Sequence, residues 1–178
     1  MTFNTDNTDQ NSQLLAEKEQ RVFQSYGELG IDDRLALLYL IYEKMGESIT
    51  PAAPAAAEPN LAPVLLGDFY HLDKDKQLAV MREIVNREET EYSRAYGGLR
   101  ENNQLAVWYA WAKGMGDTVV GMPDNYQPTE AIQNLLKAIE DLEFQEQISV
   151  LRLIASNMGY SEVEPIPTQA ETGKTSSF

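Results

Sequence analysis

An all-α fold is what this sequence predicts, on three observations. Its apolar residues recur three and four positions apart, helix-starting and helix-stopping residues bracket those runs, and no stretch alternates in polarity as a half-buried strand does. The helical punctuation is legible from about Leu14 to Gly159. With 178 residues, 43% of them hydrophobic and 24% charged, the chain has material for one buried core and not for a second full domain. Residues 14–160 are read as one helical domain and 1–13 as a flexible polar arm. Residues 161–178 are polar and interrupted by proline, and read as a disordered tail or linker stub.

Taken in order, Asp32 or Asp33 can cap a helix that carries Leu35, Leu38, Tyr39 and Tyr42, with Gly46 just past its end. That helix is apolar nearly all round, so it is expected to be buried on most sides. Pro51, Pro54, Pro59 and Pro63 punctuate an alanine-rich connection, after which Leu61, Leu65, Leu66 and Phe69 predict a short helix. Asp73 caps the next, which carries Leu78, Met81 and Val85, and Gly97 with Gly98 ends a further short segment. Leu105, Trp108, Ala112 and Met115 mark another helix, and Gly121 and Pro123 a loop. Pro128 suits a helix start. The last two helices hold Ile132, Leu135, Leu136 and Ile139, then Ile148, Leu151, Ala155 and Met158.

Composition removes several classes of function. There is no cysteine, hence no disulfide framework, thiolate metal site or thiol nucleophile, and a single histidine, His71, leaves no multi-histidine zinc site. No run approaches the roughly 20 apolar residues of a spanning helix. The start of the chain lacks the basic and apolar stretches of a signal peptide, so a cytoplasmic location is expected. A net charge of −14 opposes binding to nucleic acid or an anionic membrane. Gly173–Thr175 spells the end of a phosphate loop, but Thr168 stands where its first glycine belongs, with no strand before it. The 28 acidic residues form no pair that spacing singles out as acid and base, so they read as solvated faces, and no enzyme is expected.

The aromatics Tyr39, Tyr42, Trp108, Tyr109, Trp111 and Tyr126 cluster in or beside apolar helices. Core packing accounts for them by default, as it does for the scattered methionines Met45, Met81, Met115, Met122 and Met158, although methionine also lines adaptable binding surfaces.

The stretch DDRLALLYLIYEKMGESITPAAPAAA (32–57), followed in order by LAVMREIVNR, LAVWYAWAKGMGD, GMPDNY and QEQISVLRLIASNMGY, resembles the N-terminal domain of the orange carotenoid protein family. The likeness spans nearly the whole helical region, and without the C-terminal domain the sequence resembles the stand-alone helical carotenoid proteins of cyanobacteria. It implies two interleaved four-helix bundles with a carotenoid running between them, a keto-carotenoid such as canthaxanthin or echinenone, with chloride as a candidate second ligand. Tyr42 and Trp108 would flank one end ring. Leu35, Leu38, Tyr39, Met81, Val85, Leu105, Tyr109, Met115, Met122, Pro123, Tyr126 and Ile148 would line the tunnel.

The implied role is photoprotection by singlet-oxygen quenching in a monomer. The alternatives are energy dissipation on the phycobilisome at the thylakoid surface, with Arg152 at the docking face, and carriage of pigment to a separate protein resembling the C-terminal domain. Two departures from the family pattern stand out: Tyr39 replaces a tryptophan, and Arg82 a small cysteine. One residue fewer precedes Pro123, which loosens the correspondence at Met122 and Tyr126. Because the C-terminal domain is not in the sequence, no intramolecular photoswitch is expected.

Overall fold

The computed structural model describes residues 5–49 and 62–162, with side chains over 17–44 and 62–162. It is all-helical: α1 (Thr5–Glu28), α2 (Ile31–Ile49), α3 (Pro63–Leu66), a 3₁₀ turn (Asp68–His71), α4 (Lys74–Val85), α5 (Glu91–Gly97), α6 (Glu101–Gly114), α7 (Glu130–Glu140) and α8 (Phe144–Ser156). The sole bridge of β type among the described residues is the isolated pair Met115 and Val119.

Several helix ends are where residue chemistry puts them. Asp73 caps α4, its carboxylate accepting from Lys76 N at 2.9 Å, and Thr90 caps α5 in the same way through Ser93 N. Other ends correct the sequence reading. Asp32 and Asp33 lie inside the first turn of α2 instead of capping it, where their charge complements the N-terminal dipole. Gly46 does not end α2, which runs on to Ile49; one interior glycine costs only about 1 kcal/mol, and no proline intervenes before Pro51. Thr129, not Pro128, starts α7, with its hydroxyl accepting from Ile132 N. The helix α1 begins at Thr5, within the stretch set apart as an arm. Pro51, Pro54, Pro59, Leu61, the side chain of Met45 and the tail after residue 162 lie outside the described residues.

Two groups of helices emerge from the packing. In the first, α1 packs on α7 and α8, and α2 on α7. In the second, α4 packs on α5, and α3 on α5 and α6. Contacts of α2 with α4 and α6, and of α6 with α8, join them. Because the first group draws its members from both ends of the chain and the second from the middle, the two are interleaved, and α2 and α6 stand at the seam.

An aromatic column follows that seam. Phe69 stacks on Trp111 at 4.1 Å, Trp111 meets Trp108 edge-on at 5.2 Å, and Trp108 meets Tyr96 at 6.0 Å. Their polar atoms are all engaged: Trp111 Nε1 donates to Leu65 O, Trp108 Nε1 to Tyr96 Oη, and Tyr96 Oη to Ala155 O. Rings of this size bury the most apolar area per residue, and their satisfied polar ends fix α3, α5, α6 and α8 in register.

Candidate functional site

Between α2, α4 and α6, and walled on one side by the segment from Met115 to Tyr126, lies a cavity of ≈ 350 Å³. Helix α2 lines it with Leu35, Ala36, Leu38, Tyr39 and Tyr42, helix α4 with Leu78, Met81 and Arg82, and helix α6 with Trp108, Trp111 and Ala112. Each set follows i, i+3, i+4 spacing, which places its members on one helix face. Met115, Val120, Gly121, Met122, Pro123 and Tyr126 complete the wall.

The floor is formed by buried rings. Tyr42 donates from its hydroxyl to Leu105 O at 2.9 Å, and its ring lies 6.0 Å from that of Tyr109. Burial pushes the Tyr42 hydroxyl far above its ordinary pKa, so it stays a neutral donor. Trp108 stands beside it, held by its bond to Tyr96. The mouth, in contrast, is polar. Arg82 grips Asp32 with two bonds, Nε to Oδ1 at 2.8 Å and Nη2 to Oδ2 at 3.2 Å, and both side chains are about half or more exposed.

The wall segment is anchored from below by Gln77, which is wholly buried. Its Nε2 donates to Phe69 O and Thr118 O, and its Oε1 accepts from Val120 N at 2.8 Å.

Of the residues singled out on sequence, the fold brings Leu35, Leu38, Tyr39, Tyr42, Met81, Trp108, Met115, Met122, Pro123 and Tyr126 to this one cavity. Leu105 and Tyr109 do not line it; they lie behind the Tyr42 ring, which closes the floor. Val85 is buried in the core, and Ile148, on α8, is half-buried against that core. Arg152 lies apart, in an open groove with Arg87 and Arg100, where its Nε donates to Asn102 Oδ1 at 3.0 Å.

Sequence reasoning passed over Ala36, Leu78, Arg82, Trp111 and Ala112 as lining residues. Helical spacing could have found them, since each lies three or four positions from a residue that was named. His71 is exposed and outside the cavity. Among the described residues, no group of three acidic or histidine side chains could hold a metal ion.

Such an arrangement suits an elongated apolar ligand. Its floor and sides offer aliphatic and aromatic contact, and ≈ 350 Å³ is the low end of ligand cavities, enough for one end of a long molecule. A longer rod would continue past Tyr42, toward Leu105 and Tyr109.

Comparison with known proteins agrees in sequence and in fold. The family model described as "Orange carotenoid protein, N-terminal" matches residues 12–161. An orange carotenoid-binding domain-containing protein of Nostoc sp. (strain PCC 7120) is 40% identical over 146 residues, 82% of each chain. The orange carotenoid-binding protein of Synechocystis sp. is 32% identical over 137 residues, which cover 76% of this chain and 43% of that protein. Among solved structures, the red carotenoid protein of Anabaena (Nostoc) sp. binding canthaxanthin matches with TM-score 0.71 and 32% identity, over 80% of this chain and 99% of that one. The orange carotenoid protein of the same organism binding canthaxanthin matches with TM-score 0.73 and 27% identity, over 82% and 47%.

Proposed function

This chain belongs to the family of the orange carotenoid protein N-terminal domain, and from that premise we propose that it holds a carotenoid between its helices and serves in photoprotection, quenching singlet oxygen and dissipating excitation as heat. One observation carries the reading: ten of the fourteen residues that the family likeness assigns to ligand contact, scattered from Leu35 to Tyr126, line one apolar cavity. A bound polyene supplies low-lying excited states that accept energy and release it as heat.

The chain's own work is to solubilise and orient. Leu38, Met81 and Met115 exclude water along the cavity, and the rings of Tyr42 and Trp108 give flat faces against which an end ring can stack. A rod about 30 Å long, the length of a 20-residue helix, outruns this cavity. The rest of such a rod would lie past Tyr42, where the family likeness assigns Leu105, Tyr109 and Ile148 to its lining. Canthaxanthin, which the solved red and orange carotenoid proteins bind, is the pigment proposed here, with echinenone as the alternative that the sequence likeness implies, and no residue is given a catalytic or metal-binding role.

Purification from a carotenoid-producing host tests the reading. The expected product is coloured, with one pigment per chain and absorption shifted from that of free pigment. Tyr42→Ala and Trp108→Ala should each lose pigment, since truncating a buried ring costs about 3–5 kcal/mol, while the Phe variants keep a stacking face and retain it. A colourless, folded product from a host shown to make keto-carotenoids would sink the proposal.

A second reading, energy dissipation on the phycobilisome, draws on Arg152. In a chain of net charge −14, Arg87, Arg100 and Arg152 gather around one open groove, and such a patch suits an acidic protein surface. Quenching of isolated phycobilisome fluorescence that disappears in Arg152→Leu would favour it over diffusion-limited singlet-oxygen quenching.

A further inference from the structure

We propose that the cavity mouth selects carotenoids whose end ring carries an oxygen atom, with Arg82, held in place by Asp32, donating a hydrogen bond to that oxygen. The inference rests on the carotenoid reading above and adds a specificity-determining residue to it.

The cavity is strongly asymmetric. Tyr42, Met81 and Trp108 at the floor are buried, whereas Asp32 and Arg82 at the mouth are exposed. A ring lodged at the mouth sits against an ion pair. A plain hydrocarbon ring there covers polar groups and gives nothing back, whereas a ring ketone accepts a hydrogen bond.

Arg82 is built for this task. Its bidentate bond to Asp32 uses two of the five guanidinium N–H groups, and the others have no partner among the described residues. Asp32 is in the first turn of α2 and Arg82 in the last turn of α4, so the pair pins the donor in a fixed position on the rim. A second polar group of the same cavity is unmet: the Tyr126 hydroxyl is shut off from water and has no hydrogen-bond partner among the described residues. Burial, aided by the nearby Asp33 carboxylate, raises its pKa, so it remains a protonated donor.

Competition between pigments provides the test. Equal amounts of canthaxanthin, with a ketone on each ring, and β-carotene, with none, are offered to pigment-free protein, and the retained pigments are separated and counted. Wild type should enrich canthaxanthin. Arg82→Met, which keeps the apolar stem, should lower that enrichment about three- to tenfold, the range for one hydrogen bond at a partly exposed charged group. Asp32→Asn, which leaves the donor unpinned, should produce a smaller drop. In resonance Raman spectra, the ketone stretch of bound canthaxanthin should lie below that of free pigment and return toward it in Arg82→Met. Arg82→Leu gives an independent check if the methionine variant does not fold. Unchanged enrichment together with an unchanged ketone band in a folded Arg82 variant overturns the inference. Failure of wild type to take up either pigment overturns the carotenoid reading itself.

Discussion

Gln77 shows how one buried polar side chain can shape a site it does not touch. Two of its three backbone partners, Thr118 and Val120, lie in the wall segment and the third, Phe69, in the 3₁₀ turn, so the amide fixes where Val120 stands. Replacing it with leucine strands these groups at about 1–3 kcal/mol for each that stays buried. Gln77→Leu should therefore lower the urea midpoint and shed pigment faster than wild type. A destabilised variant with unchanged pigment retention would show that the bond network serves the core alone.

Gly159 is a second such position. Its φ is +80°, and an added Cβ would meet Tyr96 Cδ1 at 2.5 Å. Its N–H donates to Ile84 O at 2.8 Å, so the backbone cannot easily give way. Gly159→Ala should cost about 2–4 kcal/mol in urea unfolding, from the left-handed conformation and the clash together. At this scale the site was half legible. The aromatic and methionine residues of the cavity were named through family likeness, since residue type alone favoured core packing. Gln77 gave no signal, because one buried glutamine among many exposed ones carries no periodicity, and Tyr42 was read as lining without its second part as the closed floor.

Helices were the most legible level of the structure, since amphipathic spacing reports burial directly. What escaped was where they begin and end. Gly46 and Pro128 are boundary residues by propensity, yet α2 runs on through the first and Thr129 takes the cap from the second. The length of α1 was missed for a different reason: its N-terminal stretch is polar and shows no stripe.

The contact of α1 with α8 carries its own prediction. Burial, and then the carboxylate of Glu146 on α8, raise the pKa of Glu19 on α1 above its ordinary value of 4.5. Glu146 is itself buried, and its Oε2 has no partner among the described residues. The folded state thus binds the Glu19 proton more tightly than the unfolded state does. Ionised Glu19 is a penalty at neutral pH, relieved as pH falls through the raised value toward 4.5. Glu19→Gln should be more stable than wild type at pH 7, with the gap closing in mild acid. Thermal unfolding of both proteins across this range decides it, and a gap that widens in acid would reverse the sign assigned here.

Because the helices of the first group come from both ends of the chain and those of the second from its middle, no single segment owns the cavity; α2, α4, α6 and the segment 115–126 must assemble before it exists. A ligand bound there favours only the assembled state, and by mass action it stabilises the fold by about 2.7 kcal/mol when its free concentration is 100 times its dissociation constant. For a domain of this size that amounts to a rise in melting temperature of roughly 5–11 °C, taking 2–4 °C per kcal/mol. The gain should not be uniform. Hydrogen exchange should slow most in α2, α4, α6 and the wall segment, which touch the cavity, and least in α1 and α7, whose described residues do not line it. Melting curves and exchange rates of pigment-loaded and pigment-free protein, prepared from the same expression system, measure both effects. If loading raised the melting temperature while protecting α1 and α7 as strongly as α2 and α6, the pigment would be acting on the whole bundle, and the cavity between α2, α4 and α6 would not be its principal seat.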